Sequence, residues 1–261
     1  MRVGLGQLDM GFENKAYGKK LCEEIILLAA KKQVDFLVFP EMTLTGFTVK
    51  IKEFGEPSHK SETMNFFKKQ AALHNMAICF GLPVINFDKA ENHCVIVSKT
   101  GKLLGDYAKI HPFSFGTESE FYVGGNALVS CEINGFTLTP FICYDLRFPE
   151  IFQIASQKST LLVVIANWPD ARREDWKILL RARAIENQSF VVGVNRTGDG
   201  GGLHYFGDSM VISPRGKILA HAKEGLTTVD ISFEEALRCR SKFPLKSDRR
   251  PKLYDMLKNK N

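Results

Sequence analysis

Short apolar runs alternate with longer amphipathic ones along the chain. The run "RVGLGQL" at 2–8 reads as a strand. Between Asn14 and Gln33, apolar Leu21, Ile25, Leu28 and Ala29 recur at helical spacing with Lys and Glu between them. "VDFLVFPE" at 34–41 is a buried strand cut off by Pro40. "SETMNFFKKQAALHN" at 61–75 is a second helix, with Ser61 and Glu62 suited to its start. "MAICFGLPVI" (76–85), "NHCVIVSKT" (92–100) and "KLLGDYAK" (102–109) are successive strands, with "KTGK" as a hairpin turn.

Further on, "ALVSCEI" (127–133) and "FTLTPFICY" (136–144) flank Asn134 and Gly135, a strong hairpin signal. Pro140 inside the second run implies an edge position or a bulge. The pattern then predicts a helix at 147–158, a buried strand at 159–168, a helix at 173–188 and a strand at 189–196. A hairpin over 204–222, turning at "PRGK", and a strand at 226–232 complete it. Some strands follow one another directly and others are separated by helices. That mixture indicates a layered α/β sandwich in one domain over residues 1–261, not a simple doubly wound sheet. The GxG at Gly4 and Gly6 lies inside the first strand and lacks the rest of a dinucleotide fingerprint.

Composition narrows the function classes. The net charge is only +6, and the bases are scattered among acids except in the tail "KSDRRPKLYDMLKNKN", so no concentrated nucleic-acid-reading face is expected. No stretch approaches the roughly 18 apolar residues of a membrane span. The N-terminus reads as a strand, not as a signal peptide. The six cysteines form no CxxC, which suggests reduced thiols and a cytosolic setting. The six histidines form neither HxH nor HExxH, so no metal site and no cofactor are expected.

Three predicted strand ends carry an ionisable residue where the apolar run breaks: Glu41 in "FLVFPEMTLTGF", Lys109 in "GDYAKIHPF" and Cys143 in "FICYDLRFPE". Each alone has an ordinary explanation, as a turn acid, a solvated lysine and a core cysteine. Together they form a coherent chemical set. A thiol becomes nucleophilic once a base takes its proton. A carboxylate can be that base, and an ammonium can hold the oxyanion formed when a carbonyl is attacked.

The three motifs, in this order, resemble the nitrilase superfamily of carbon–nitrogen hydrolases, and the resemblance extends over essentially the whole chain. It implies an α-β-β-α sandwich, with Glu41 as general base, Lys109 as oxyanion-stabilising lysine and Cys143 as nucleophile. The backbone N–H of Tyr144 is then a second oxyanion donor. A second glutamate between lysine and cysteine is Glu118 or Glu120, with the spacing to Gly124 and Gly125 favouring Glu118.

The segment from Ala166 to Gly200, "ANWPDARREDWKILLRARAIENQSFVVGVNRTGDG", is similar to the ω-amidase branch, whose members hydrolyse the terminal amide of 2-oxo dicarboxylic acid monoamides such as 2-oxoglutaramate. Such a substrate brings a carboxylate, which suits a guanidinium. Arg172, Arg173 and Arg196 are the candidates, with surface solvation the ordinary role for at least two of them. Trp168 and Phe115 are candidate walls of the pocket. The family further implies a homodimer. A related amidase or N-carbamoyl amidohydrolase, and a non-catalytic acid-binding scaffold, remain the alternatives.

Overall fold

The computed structural model describes residues 1–258. The first half forms β1 (Arg2–Gln7), α1 (Lys15–Lys31), β2 (Phe36–Val38), α2 (Ile51–Phe54), α3 (Glu62–His74), β3 (Ala77–Asn86), β4 (Lys89–Val97), β5 (Leu103–Ala108) and α4 (Glu118–Phe121). The second half forms β6 (Cys131–Ile133), β7 (Phe136–Ile142), α5 (Pro149–Ala155), β8 (Leu161–Ala166), α6 (Arg173–Asn187) and β9 (Phe190–Asn195). It continues with β10 (Thr197–Gly200), β11 (Leu203–Phe206), β12 (Met210–Ile212), β13 (Ile218–His221), β14 (Gly225–Asp230), α7 (Phe233–Lys242) and α8 (Pro251–Lys258).

Two six-stranded sheets result, ordered β14-β1-β2-β3-β4-β5 and β13-β12-β9-β8-β7-β6. Each has three parallel strands, β1-β2-β3 in one and β7-β8-β9 in the other, extended by antiparallel neighbours. Alternation along the strands sorts side chains between the two faces. Phe36 and Val38 of β2 meet Val163, Ile165 and Val192 of the second sheet in the core between the sheets. Leu37 and Phe39 point outward, onto Ile25 and Ile26 of α1 and Phe67 of α3. On the far side, Leu162 and Val164 of β8 pack against Phe152 of α5 and Trp176 and Leu180 of α6. The layers are therefore α-β-β-α, the predicted fold class.

Caps set the helix starts. Asn14 accepts from the Tyr17 N–H at 3.1 Å and Ser61 from the Met64 N–H at 2.9 Å. Some predicted boundaries change. The run 34–41 yields only the three residues of β2, because the chain leaves the sheet at Phe39 to carry Glu41. The predicted hairpin arm from His204 is two strands: β11 pairs with β10 in a separate ribbon, and β12 rejoins the second sheet. Gly207 and Asp208 between them both have positive φ, which breaks the strand. Pro140 is not on an edge strand. It lies in β7 beyond the three residues that β6 pairs, so its missing N–H falls outside that ladder.

The basic tail from Lys246 onward contains α8 and is preceded by α7, and this C-terminal segment binds back to the second sheet and its helices. Arg240 donates to the Gln188 and Ser159 carbonyls at 3.1 and 2.6 Å, and Lys246 donates to the Ser156 carbonyl.

Candidate active site

The strand directions place the three candidate groups at one rim. β4 runs antiparallel to both β3 and β5, so β5 runs the same way as β2. Glu41, following β2, and Lys109, following β5, leave the first sheet at the same end. Cys143 follows β7 of the facing sheet, and Asn167 follows its neighbour β8. Carboxyl ends of parallel strands are where α/β folds place ligands.

Close backbone approach brings Glu41 in. At Gly81 a Cβ would lie 2.5 Å from the Met42 nitrogen, so only glycine lets β3 run against this turn. The Gly81 N–H donates to Thr43 Oγ1, and the Thr43 N–H to the Gly81 carbonyl, both at 2.9 Å. The Glu41 side chain, 1% exposed, accepts from Asn92 Nδ2 at 2.7 Å on one oxygen and from the Asn167 N–H at 2.7 Å on the other. Asn167 Nδ2 adds a bond to the Glu41 carbonyl at 2.8 Å.

Lys109 Nζ lies 2.8 Å from each oxygen of Glu118 and 3.6 Å from Glu41 Oε1. Glu118 also accepts from the Phe113 N–H at 2.9 Å. Burial alone would make the ammonium lose its proton readily, but Glu118 and Glu41 outweigh it and hold Lys109 well above its ordinary value. Of the two acids considered from sequence, Glu118 is buried against Lys109 and Glu120 is exposed.

Cys143 has φ +47°, a left-handed conformation unusual for a residue with a Cβ. Asp145, fully buried, supports the turn. It accepts from the Ile142 N–H at 3.1 Å, the Tyr107 hydroxyl at 2.8 Å and the His111 N–H at 3.0 Å. A short 3₁₀ turn over Cys143–Arg147 follows, and the N–H groups of a first turn, Tyr144 among them, have no partner within the helix. Burial pushes the Cys143 thiol well above its ordinary value, and the Glu41 and Glu118 carboxylates add to this against Lys109. The resting sulfur is thus a neutral thiol that needs a base.

Glu41, Lys109, Glu118 and Cys143 all line one cavity of about 330 Å³. Trp168 lines it too, and Tyr144 and Arg172 border it. Phe115 does not: it is 90% exposed, and Phe113 takes the wall position instead. With no periodicity in this loop, sequence could not tell which of the two rings turns inward. Arg196 is also corrected. Neither solvated nor in the cavity lining, it is fully buried and donates to Asp9 at 3.1 Å and to the Asp199 carbonyl at 2.8 Å. Its guanidinium lies 4.7 Å from the ring centroid of Tyr205, which does line the cavity. Arg173 is paired with Asp208. Arg172 alone of the three reaches the cavity, over the Phe113 ring at 5.3 Å, and among the described residues it is paired with no carboxylate.

Sequence reasoning missed Asn92, Asp145, Tyr205 and the Glu41-binding role of Asn167. For Asn167 a signal existed, a polar residue just past an apolar strand, as at Glu41 and Cys143. Among the described residues no cluster of His, Cys, Asp and Glu is arranged to hold a metal ion.

A thiol, a carboxylate and an ammonium converging at the paired rims of an α-β-β-α sandwich have the outline of a thiol-dependent hydrolase. The carbon–nitrogen hydrolase family profile matches residues 2–240, and the chain belongs to that family. It is 32% identical over 253 residues to the 2-oxoglutaramate amidase of Bacillus subtilis (strain 168), covering 95% of this chain and 97% of that one. It is 34% identical over 223 residues to omega-amidase YafV of Yersinia enterocolitica, covering 84% and 86%. Among solved structures, a CN-hydrolase superfamily protein from Xanthomonas campestris with an arsenic adduct in its active site superposes with a TM-score of 0.90 at 32% identity. That match covers 96% of this chain and 97% of the other.

Proposed function

We propose that the protein is an ω-amidase, releasing ammonia from the terminal amide of a small 2-oxo dicarboxylic acid monoamide such as 2-oxoglutaramate. The observation that carries this reading is the shared cavity: Glu41, Lys109 and Cys143 open into the same space as Arg172, a guanidinium without a carboxylate partner among the described residues. The names of the two curated relatives support the same substrate class.

In this mechanism Cys143 Sγ attacks the amide carbon while Glu41 takes the thiol proton. Lys109 and the Tyr144 N–H hold the oxyanion, with Glu118 fixing Lys109. As the tetrahedral centre collapses, the carbon–nitrogen bond breaks, Glu41 returns the proton to the nitrogen and ammonia leaves a thioester. Water, losing a proton to Glu41, attacks the thioester; the acid departs and the thiol is restored. Arg172 binds the substrate's far carboxylate and sets which amide reaches the sulfur. Trp168 and Phe113 wall the apolar part.

The test is ammonia release from 2-oxoglutaramate by the native protein and Cys143→Ala, with glutamine, a simple nitrile and an N-carbamoyl amino acid as controls. Turnover of the oxo-amide that vanishes in the variant supports the reading. Turnover of a control alone keeps the chemistry and replaces the substrate.

The proposal includes a homodimer, which the family resemblance implies. Sedimentation would read a monomer if it is wrong. A reducing cytosolic setting is supported by six cysteines that are all free thiols.

A further inference from the structure

Asn92 sits in β4 and takes no part in lining the cavity, yet it contacts three of the site's four key residues. Its Nδ2 donates to Glu41 Oε1 at 2.7 Å and lies 3.5 Å from Glu118 Oε1, and its carbonyl accepts the Lys109 N–H at 2.8 Å. The side chain is 1% exposed, and its own Oδ1 has no hydrogen-bond partner among the described residues. Leaving a buried amide oxygen unpaired is costly. The orientation is nonetheless dictated, because turning the amide over would set Oδ1 against two carboxylates that only accept.

We propose that Asn92 is the positioning residue for the general base, its amide turned to the two glutamates so that Glu41 presents a fixed oxygen to the Cys143 thiol. Charge explains why such a residue is required. Two buried carboxylates face one ammonium, Lys109, which chelates Glu118 at 2.8 Å and stands 3.6 Å from Glu41. Lys109 is thus committed mainly to Glu118, and Glu41 relies on amide donors. Asn167 supplies those to Oε2 from the second sheet, and Asn92 supplies the one to Oε1 from the first. Without Asn92, Oε1 keeps only the longer Lys109 contact and is free to swing onto the ammonium and away from the thiol.

This inference rests on Glu41 being the base for Cys143, so the experiment separates the two. It is a double-mutant cycle read by the rate at which iodoacetamide alkylates Cys143 at pH 7, identified by peptide mass, and by kcat and KM for the turned-over amide. Asn92→Leu, close in volume but without donors, is expected to lower both the alkylation rate and kcat about tenfold or more with KM nearly unchanged, a loss typical of a misplaced reacting group. Asn92→Gln is expected to recover part of it. Glu41→Gln is expected to lose more, and the double variant no more than Glu41→Gln alone, since Asn92 acts only through Glu41.

Losses that add in the double variant would overturn the role of Asn92 while leaving Glu41 as base. An undiminished alkylation rate in Glu41→Gln would overturn the base assignment, and Asn92 with it. Should Asn92→Leu fail to fold, Asn92→Ser, smaller and with a single donor, enters the same cycle.

Discussion

The Tyr107 hydroxyl donates to Asp145 Oδ2 at 2.8 Å, joining the strand that delivers Lys109 to the turn that delivers Cys143. Tyr107 belongs to β5 of the first sheet and Asp145 to the turn that follows β7 of the second, and both are fully buried. Tyr107→Phe removes the donor and leaves Asp145 its bonds to Ile142 and His111. Loss of a hydrogen bond to a buried charge should cost about 1.5–3 kcal/mol in urea unfolding. It should also lower kcat more than it raises KM, because the turn at Cys143 loosens while the pocket walls stay.

Lys109→Ala removes the ammonium from between two carboxylates. Turnover should fall at least ~10²–10³-fold, the usual effect of losing one oxyanion donor. Stability should fall as well, by about 3–5 kcal/mol as for a buried ion pair deprived of one partner. Steady-state kinetics and urea unfolding on the same preparation separate the two effects.

Arg172 and Arg196 should fail in opposite ways. Arg172→Ala is expected to raise KM for a carboxylate-bearing amide at least tenfold while unfolding midpoints stay put, since its guanidinium has no carboxylate partner among the described residues and borders solvent. Arg172→Lys should recover little of a forked contact. Arg196→Ala should shift the unfolding midpoint downward, because it empties a buried position and unties the ribbon β10–β11.

Lys246 predicts a pH dependence. Burial, together with nearby Arg240 and Arg249, lowers its value from 10.5 to about 7. Between those two values the unfolded chain holds a proton that the folded chain has released, so this residue makes stability rise with pH from about 7 upward. Urea midpoints at pH 6.5 and 9, compared between the native protein and Lys246→Met, should show a smaller rise in the variant.

How much of this was legible depended on how the chain encodes it. Strands and helices follow from periodicity, and Glu41, Lys109 and Cys143 stand out because each breaks an apolar run at a strand end. Asn92 breaks no such run: it opens β4's apolar stretch, where a neutral amide looks like any strand-start residue. The choices between Phe113 and Phe115, and between Arg172 and Arg196, concern which way a side chain turns in irregular backbone. Those are settled by neighbours far away in sequence, such as Asp9 for Arg196. β11 and β12 look like one strand in sequence because left-handed backbone at Asp208 leaves no trace in hydrophobicity.

Asn167 binds Glu41 across the gap between the sheets, its backbone N–H and side-chain amide on the carboxylate and its carbonyl 3.9 Å from Cys143 Sγ. The proposed base and the proposed nucleophile therefore belong to separate halves of the molecule and meet only when those halves are pressed together. A partly loosened chain, with every strand and helix intact but the sheets slid apart by the width of a methyl group, would already be silent. Turnover in this protein is thus a strain gauge for its core, and should fade on warming before circular dichroism registers any loss of structure.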